Sequence, residues 1–517
     1  MKKVLYIPLD DRPCNYEYPY LLSKITDDIQ LLKPPISLMG CCKKSADVDK
    51  IWEWIFENLD NVDYAILSVD TLVYGNIIHS RIHELSKEII ENRINNFRKI
   101  KLKNKKINIQ AFNLVTRVSA YSNSFEDPDY WSSYGHTIWE YGWYSDRINR
   151  GIADDNEIDY FEKVKKAIPT DILSDFLERR KKNAYVNEQA ISLVKENIFN
   201  ELVIPKDDTA LYGFAAIDHK KLATIINDNS LMNRVMIYPG ADEVGSVLLS
   251  RIFCKMHNYK PAVFLKYSAT YGPTIVPLYE DRPIAESIKS QIVSAGGILV
   301  STPLESDFLF AIHTPGVQME ECYTQSNKNL TYSTHVNIQE FFSYLKYYKE
   351  KYNKPIALAD VAFANGSDIS MMRHASVDGI FDILCAYGGW NTSENTNGMC
   401  LAHAIISSYY EKDNFKNGDY KESQKFLVRK IIEDYLFQAL GIPEMDVIVS
   451  EQYPGYSPYY CRDIKNEIAN ISGNLLIEKT NNLFPNGFKG KKIELSDFYL
   501  PWERIHELGF KLEFIEN

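Results

Sequence analysis

Residues Leu202–Tyr212 read LVIPKDDTALY, and the fold turns on how this stretch is taken. A short apolar run ends at Pro205, Asp207 and Asp208 follow, and Gly213 loosens the backbone beyond them. If the run is a buried strand, the two acids sit at its carboxyl end, where open parallel sheets and β/α barrels gather their chemistry. The next helical segment begins near Asp218. An α/β fold with its reactive groups on one edge is the expectation.

The same strand, polar turn and helix recur on both sides. Val4–Pro8, Asp63–Val69 and Ile107–Leu114 read as strands before it, and Arg234–Tyr238, Ala262–Lys266, Gly297–Thr302, Phe308–Ile312 and Pro355–Ala359 as strands after it. A count of about eight suits a (β/α)8-like barrel. A doubly wound parallel sheet gives the same local rhythm and is the alternative. An aromatic and helical insertion at 120–200, broken near Pro169, interrupts the pattern, and its charged stretch FLERRKKNAYVNEQAISLVKEN reads as a solvated helix face. After 425 the rhythm changes: Phe426–Leu440 is helical, Gln452–Tyr460 is a tyrosine- and proline-rich loop, and Phe488–Asn517 reads as short strands. The expected organisation is one α/β domain over 1–425, insertion included, and a C-terminal accessory α+β segment over 426–517.

Composition narrows the classes. The chain has 517 residues, 45 % apolar and 25 % charged, an ordinary globular balance. A net charge of −11 with no basic run argues against a nucleic-acid backbone binder. The opening MKKVLYIP is too short for an export signal or a membrane span, and no later run reaches spanning length. A cytoplasmic protein without a membrane partner is expected. Eight scattered cysteines predict reduced thiols rather than a disulfide framework. Thirty-five tyrosines and seven tryptophans suit carbohydrate stacking as well as packing. Nothing in the sequence sets the oligomeric state.

Several strand ends carry carboxylates in turns: Asp10 and Asp11 beside Arg12, Asp70 near Tyr74, Asp207 and Asp208, Asp242 and Glu243, and Asp360 with Asp368. In a parallel sheet these turns converge, and unlike surroundings split carboxyl pKa values into a protonated acid and an ionised partner. Turn formation and helix capping by the same aspartates compete with that reading. Asn113 and Arg117 lie at or just past the third strand, and Tyr267 follows the strand AVFLK. Asn365 stands in the turn after Asp360. Trp390, Asn391 and Asn395 lie in the glycine-rich AYGGWNTSENTNG, where a flat ring beside amides fits a sugar with an apolar face and a polar rim. His313 closes an apolar run. HExxH, paired CxxC, GxSxG, Walker and GxGxxG motifs are absent.

The motifs as a group resemble a bacterial family catalogued as domain of unknown function 4127. They are YIPLDDRPCN at 6–15, SVDTLVYG at 68–75 with Ser80–Arg81, PKDDTALYG at 205–213, PGADEV at 239–244, LYEDRP at 278–283, DVAFANGSD at 360–368, AYGGWNTSENTNG at 386–398 and LPWERIHE at 500–507. That resemblance implies no activity. A looser one links the paired acids, counted after a fourth strand, to barrel β-N-acetylglucosaminidases that use the substrate's acetamide as nucleophile. It implies that Asp207 orients the acetamide and Asp208 protonates the glycosidic oxygen.

The leading expectation is a glycoside hydrolase without a cofactor or metal ligand, acting on a small saccharide or glycoconjugate. Asp207 and Asp208 are its catalytic pair, and the other residues named at the strand ends and in the tryptophan turn contact the substrate. One alternative is a Mg²⁺- or Mn²⁺-dependent hydrolase or phosphoryl-transfer enzyme using Asp10, Asp70, Asp207 and Asp242 as hard oxygen ligands. The other is a carbohydrate-binding or sensing protein that cleaves nothing.

Overall fold

A computed structural model describes residues 1–515. Backbone contacts divide the chain into two units. The first comprises 1–11, 28–248 and 279–282, and the second comprises 12–27, 249–278 and 283 onward. The division passes between Asp11 and Arg12 and close to residue 248, so it does not follow the expected boundary at 425.

The first unit holds β1 (Lys2–Ile7), β2 (Ile29–Leu32), β3 (Tyr64–Ser68), β4 (Asn108–Phe112), β5 (Glu201–Lys206) and β6 (Val235–Pro239). They form one parallel sheet in the order β2-β1-β3-β4-β5-β6. Every residue of β5 is buried, as expected for a strand covered on both faces. The helices follow ordinary rules. Lys87–Lys103 starts where Ser86 accepts the Ile89 N–H, and buries Ile90, Ile94, Phe97 and Ile100 on one stripe. The insertion between β4 and β5 is three helices, Trp131–Asn149, Asp155–Ala167 and Thr170–Lys195. The second is closed by a capping box of Asp154 and Glu157, and the third starts after Pro169.

The second unit holds β7 (Ala262–Tyr267), β8 (Ile298–Leu299), β9 (Phe308–His313), the two-residue β10 (Glu320–Glu321), β11 (Ile356–Asp360), the two-residue β12 (Phe363–Ala364), β13 (Leu384–Gly388), β14 (Lys492–Tyr499) and β15 (Gly509–Ile515). Its main sheet is parallel in the order β13-β11-β9-β7-β8. Residues after 425 pack into the same unit: Leu427, Ile431, Leu476 and Phe510 share one hydrophobic core with Leu309 and Leu358 of β9 and β11. β14 and β15 pair antiparallel, in line with the short strands expected there; the last two residues of that stretch lie outside the described ones. Ile432–Gly441 is a π-helical stretch, a form that often marks functional ground.

The α/β expectation holds as two multi-stranded, mostly parallel sheets with many helices, and no closed barrel is seen among the described residues. Among the described residues the strands form open sheets, and the two large ones wind alike. In each, the first strand is flanked by the second on one side and the third on the other. The order reverses between β1 and β3 and between β7 and β9, the switch points where doubly wound sheets place ligands. The strand count was misleading because the local β–turn–α rhythm does not say which strands pair. It also passed over β2, a four-residue strand whose partner is β1.

Candidate functional site

In the first unit the carboxyl ends of β3, β4 and β5 hold a network of acids, amides and arginines. β5 delivers Asp207 and Asp208. Asp208 has φ of +33°, the left-handed region that strains a residue with a Cβ by about 1–3 kcal/mol, and here the two neighbours take different partners. Asp207 is buried, and its Oδ2 accepts from Arg81 Nη2 at 2.8 Å. Asp208 keeps 26 % of its side chain exposed, and its Oδ2 accepts from Arg117 Nη1 at 2.9 Å. Both guanidinium groups are themselves anchored. Arg81 pairs with Glu126 at 2.9 Å, and Arg117 with Glu126 at 3.0 Å and Asp127 at 3.1 Å.

These surroundings separate the paired acids. Burial, then the charge of Asp207, push the Asp208 carboxyl up to about 6, while Arg117 and Arg81 hold it from rising further. Asp70 follows β3 in a short helix and is fully buried; its Oδ2 accepts from Asn113 Nδ2 at 3.1 Å and from the Leu114 N–H at 2.9 Å. Burial raises it to about 7 in spite of those donors. The Asn113 Oδ1 accepts in turn from Asn187 at 2.7 Å. Tyr74 is buried and stacks on His83, with ring centroids 4.6 Å apart. The Thr71 hydroxyl donates to the Pro8 and Leu9 carbonyls and ties the ends of β3 and β1 together.

Asp10, Asp11, Asp242 and Glu243 follow β1 and β6 on the same sheet edge. Glu243 Oε2 accepts the Ala241 N–H at 3.0 Å, a turn-closing contact just before the helix Val244–Met256. Among the described residues, no group of three or more His, Cys, Asp and Glu is arranged to hold a metal ion.

The family described as "Protein of unknown function (DUF4127)" matches residues 4–511. The chain belongs to the DUF4127 family. No curated protein matches it. The likeness to barrel β-N-acetylglucosaminidases loses its footing in this DUF4127 chain, because the acids follow the fifth strand of an open sheet rather than the fourth of a ring.

The remaining expected contacts of the DUF4127 chain lie in its second unit, apart from the paired acids in sequence and in sheet. Arg12 lies 4.5 Å over the Trp502 ring and 3.8 Å from Glu507. Tyr267 ends β7 and Asp360 ends β11. Asn365 donates its N–H to the Asn391 carbonyl at 2.9 Å and its side-chain amide to Glu321 at 2.9 Å. Asn395 donates to Thr392 at 2.9 Å in the first turn of Ser393–Glu411. Trp390 is only 7 % exposed: its ring packs against His506 and under the Lys430 ammonium, so it is a packed wall and not an open platform. The glycine just before it is required, since a Cβ at Gly389 would lie 2.5 Å from the Tyr387 hydroxyl and 2.6 Å from Ser367 Oγ.

Several members of the first network escaped the sequence reading. Glu126 and Asp127 lie in a loop without a motif. Arg180, Asn183 and Asn187 belong to the charged helix read as solvated, yet all three are buried. Arg180 donates to the Thr116 carbonyl, Asn183 to Thr116 Oγ1, and Asn187 to Asn113. Their spacing, roughly one helical turn each, was the available signal: a polar stripe on one face rather than charge spread all round.

Proposed function

We propose that this protein hydrolyses a glycosidic bond in a small saccharide or glycoconjugate, with Asp208 as the general acid. The reading rests on one observation, the unequal surroundings of two adjacent aspartates. Asp208 is partly exposed with a carboxyl raised to about 6, while Asp207 is buried on Arg81. Carboxyls in unlike environments are the pattern by which one fold runs acid and electrostatic roles together.

On this reading the Asp208 proton passes to the glycosidic oxygen as its bond to the anomeric carbon breaks. Asp207, paired with Arg81, supplies fixed negative charge for the oxocarbenium-like carbon, and water then bonds to that carbon and gives its proton to the Asp208 carboxylate, restoring the acid. A panel of chromogenic glycosides, plain and N-acetylated, tests the proposal. Hydrolysis of at least one is expected at slightly acid pH. A folded protein that cleaves none of them contradicts the assignment.

A further inference from the structure

The second unit carries a hydrogen-bonded chain that the glycosidase reading does not use. At the switch point of its sheet, Ser268 directly follows β7, His313 is the last residue of β9, and Asp368 caps the helix Ile369–Val377 next to the end of β11. Ser268 Oγ lies 3.0 Å from His313 Nδ1, and His313 Nε2 lies 3.1 Å from Asp368 Oδ2. We infer that Ser268, His313 and Asp368 form a second, hydrolytic site that cleaves short acyl esters through a serine nucleophile.

The donors and acceptors fit a charge-relay order from Asp368 through His313 to Ser268. Asp368 is held as a carboxylate at about 2: burial works against the charge, and the His313 hydrogen bond and charge together with Lys328 outweigh it. Its Oδ1 also accepts the Ser370 N–H at 2.9 Å. A carboxylate has no proton to give, so His313 Nε2 carries the hydrogen between them. In the neutral imidazole Nδ1 is then a bare lone pair, whereas in the protonated one it donates to Ser268 Oγ, so the neutral form is the one that activates the serine. Ser268 Oγ already accepts the Thr314 N–H at 3.0 Å, which leaves its own hydrogen to point at Nδ1. This is the polarity that activates a serine, with the imidazole turned end for end relative to the usual nitrogen pairing. Asp360, buried behind, accepts the Asp368 N–H at 2.8 Å and fixes the position of the cap.

In the reaction, the Ser268 Oγ lone pair bonds to the ester carbonyl carbon while its proton moves to His313 Nδ1. The carbonyl π pair moves onto oxygen. When the carbonyl re-forms, the bond to the alcohol breaks and the alcohol leaves with the proton from Nδ1. Water repeats the two steps on the acyl-serine, releasing a carboxylic acid and restoring the hydroxyl.

Ser268 is 5 % exposed, and the segment that closes over it is specific. Lys328 reaches Asp368 at 3.4 Å, Val336 bridges Ala269, and the Asn337 N–H donates to the Ser268 carbonyl at 3.3 Å. The cover limits the substrate to a small acyl group and must part for each turnover.

The experiment treats the full chain with a fluorophosphonate probe and with p-nitrophenyl acetate, and maps the adduct by mass spectrometry. Attack of Oγ on phosphorus with loss of fluoride should label Ser268. His313→Gln should slow labelling by about 10²–10⁴-fold, the range for loss of a general base. Ser268→Ala should abolish both labelling and acetate release. If that variant does not fold, Ser268→Cys keeps a nucleophile in place, and its thiol should be alkylated by iodoacetamide faster than the buried native cysteines. A folded wild-type chain without an adduct on Ser268, or labelling that survives Ser268→Ala, overturns the inference. Glycoside cleavage is not read in this assay, so it fails or succeeds separately.

Discussion

Arg117 Nη1 lies 2.9 Å from Asp208 Oδ2 while the same guanidinium holds Glu126 and Asp127. This contact is the main brake on the Asp208 carboxyl, which burial and Asp207 push up to about 6. Removing the charge releases the brake. Arg117→Gln is expected to move the alkaline limb of kcat/KM to higher pH, because the acid keeps its proton longer. A pH–rate profile of the variant on any cleaved glycoside checks the direction.

Asp207 acts on its neighbour with the opposite sign. Its negative charge raises Asp208, so Asp207→Asn is expected to shift the same limb to lower pH, and to lower the plateau rate by about 10²-fold or more through loss of transition-state charge stabilisation. The two substitutions together form an internal control, since a general loss of structure would not move the limbs in opposite directions.

Asp70 makes a prediction about stability. Its folded carboxyl titrates near 7 instead of the ordinary value near 3.8, so between those values the folded state holds a proton that the unfolded chain has lost. Stability therefore falls as pH rises from about 4 to about 7, at most about 1.4 kcal/mol per unit of pH. Asp70→Asn keeps an oxygen for Asn113 and Leu114 and removes the titration. Its melting temperature should exceed that of the wild type at pH 8, and the gap should close below about pH 4.

The fold was legible where it depends on local pattern and illegible where it depends on pairing. Leu202–Ile204 announced a buried strand with acids at its end, and β5 with Asp207 and Asp208 matches that. Sheet order is another matter. β2 is short and follows a polar turn, and no local rule says that it lies beside β1 or that a second sheet begins at Ala262. The same limit applies to the network around the acids. Asp70 and Asn113 stood out because they end strands, whereas Asn187 meets Asn113 from a helix 74 residues later. Its identity as a buried polar contact exists only in three dimensions. His313 was visible at the end of an apolar run, but Ser268 and Asp368 become its partners only through the order of β7, β9 and β11.

Proton donation by Asp208 is tested most directly by comparing two leaving groups in one variant. Asp208→Asn should lose about 10²–10⁴-fold in kcat/KM on a glycoside with an alkyl leaving group, which needs the proton, and far less on the dinitrophenyl glycoside of the same sugar, which does not. An equal loss on both substrates, or no loss on the alkyl glycoside, contradicts the role assigned to Asp208.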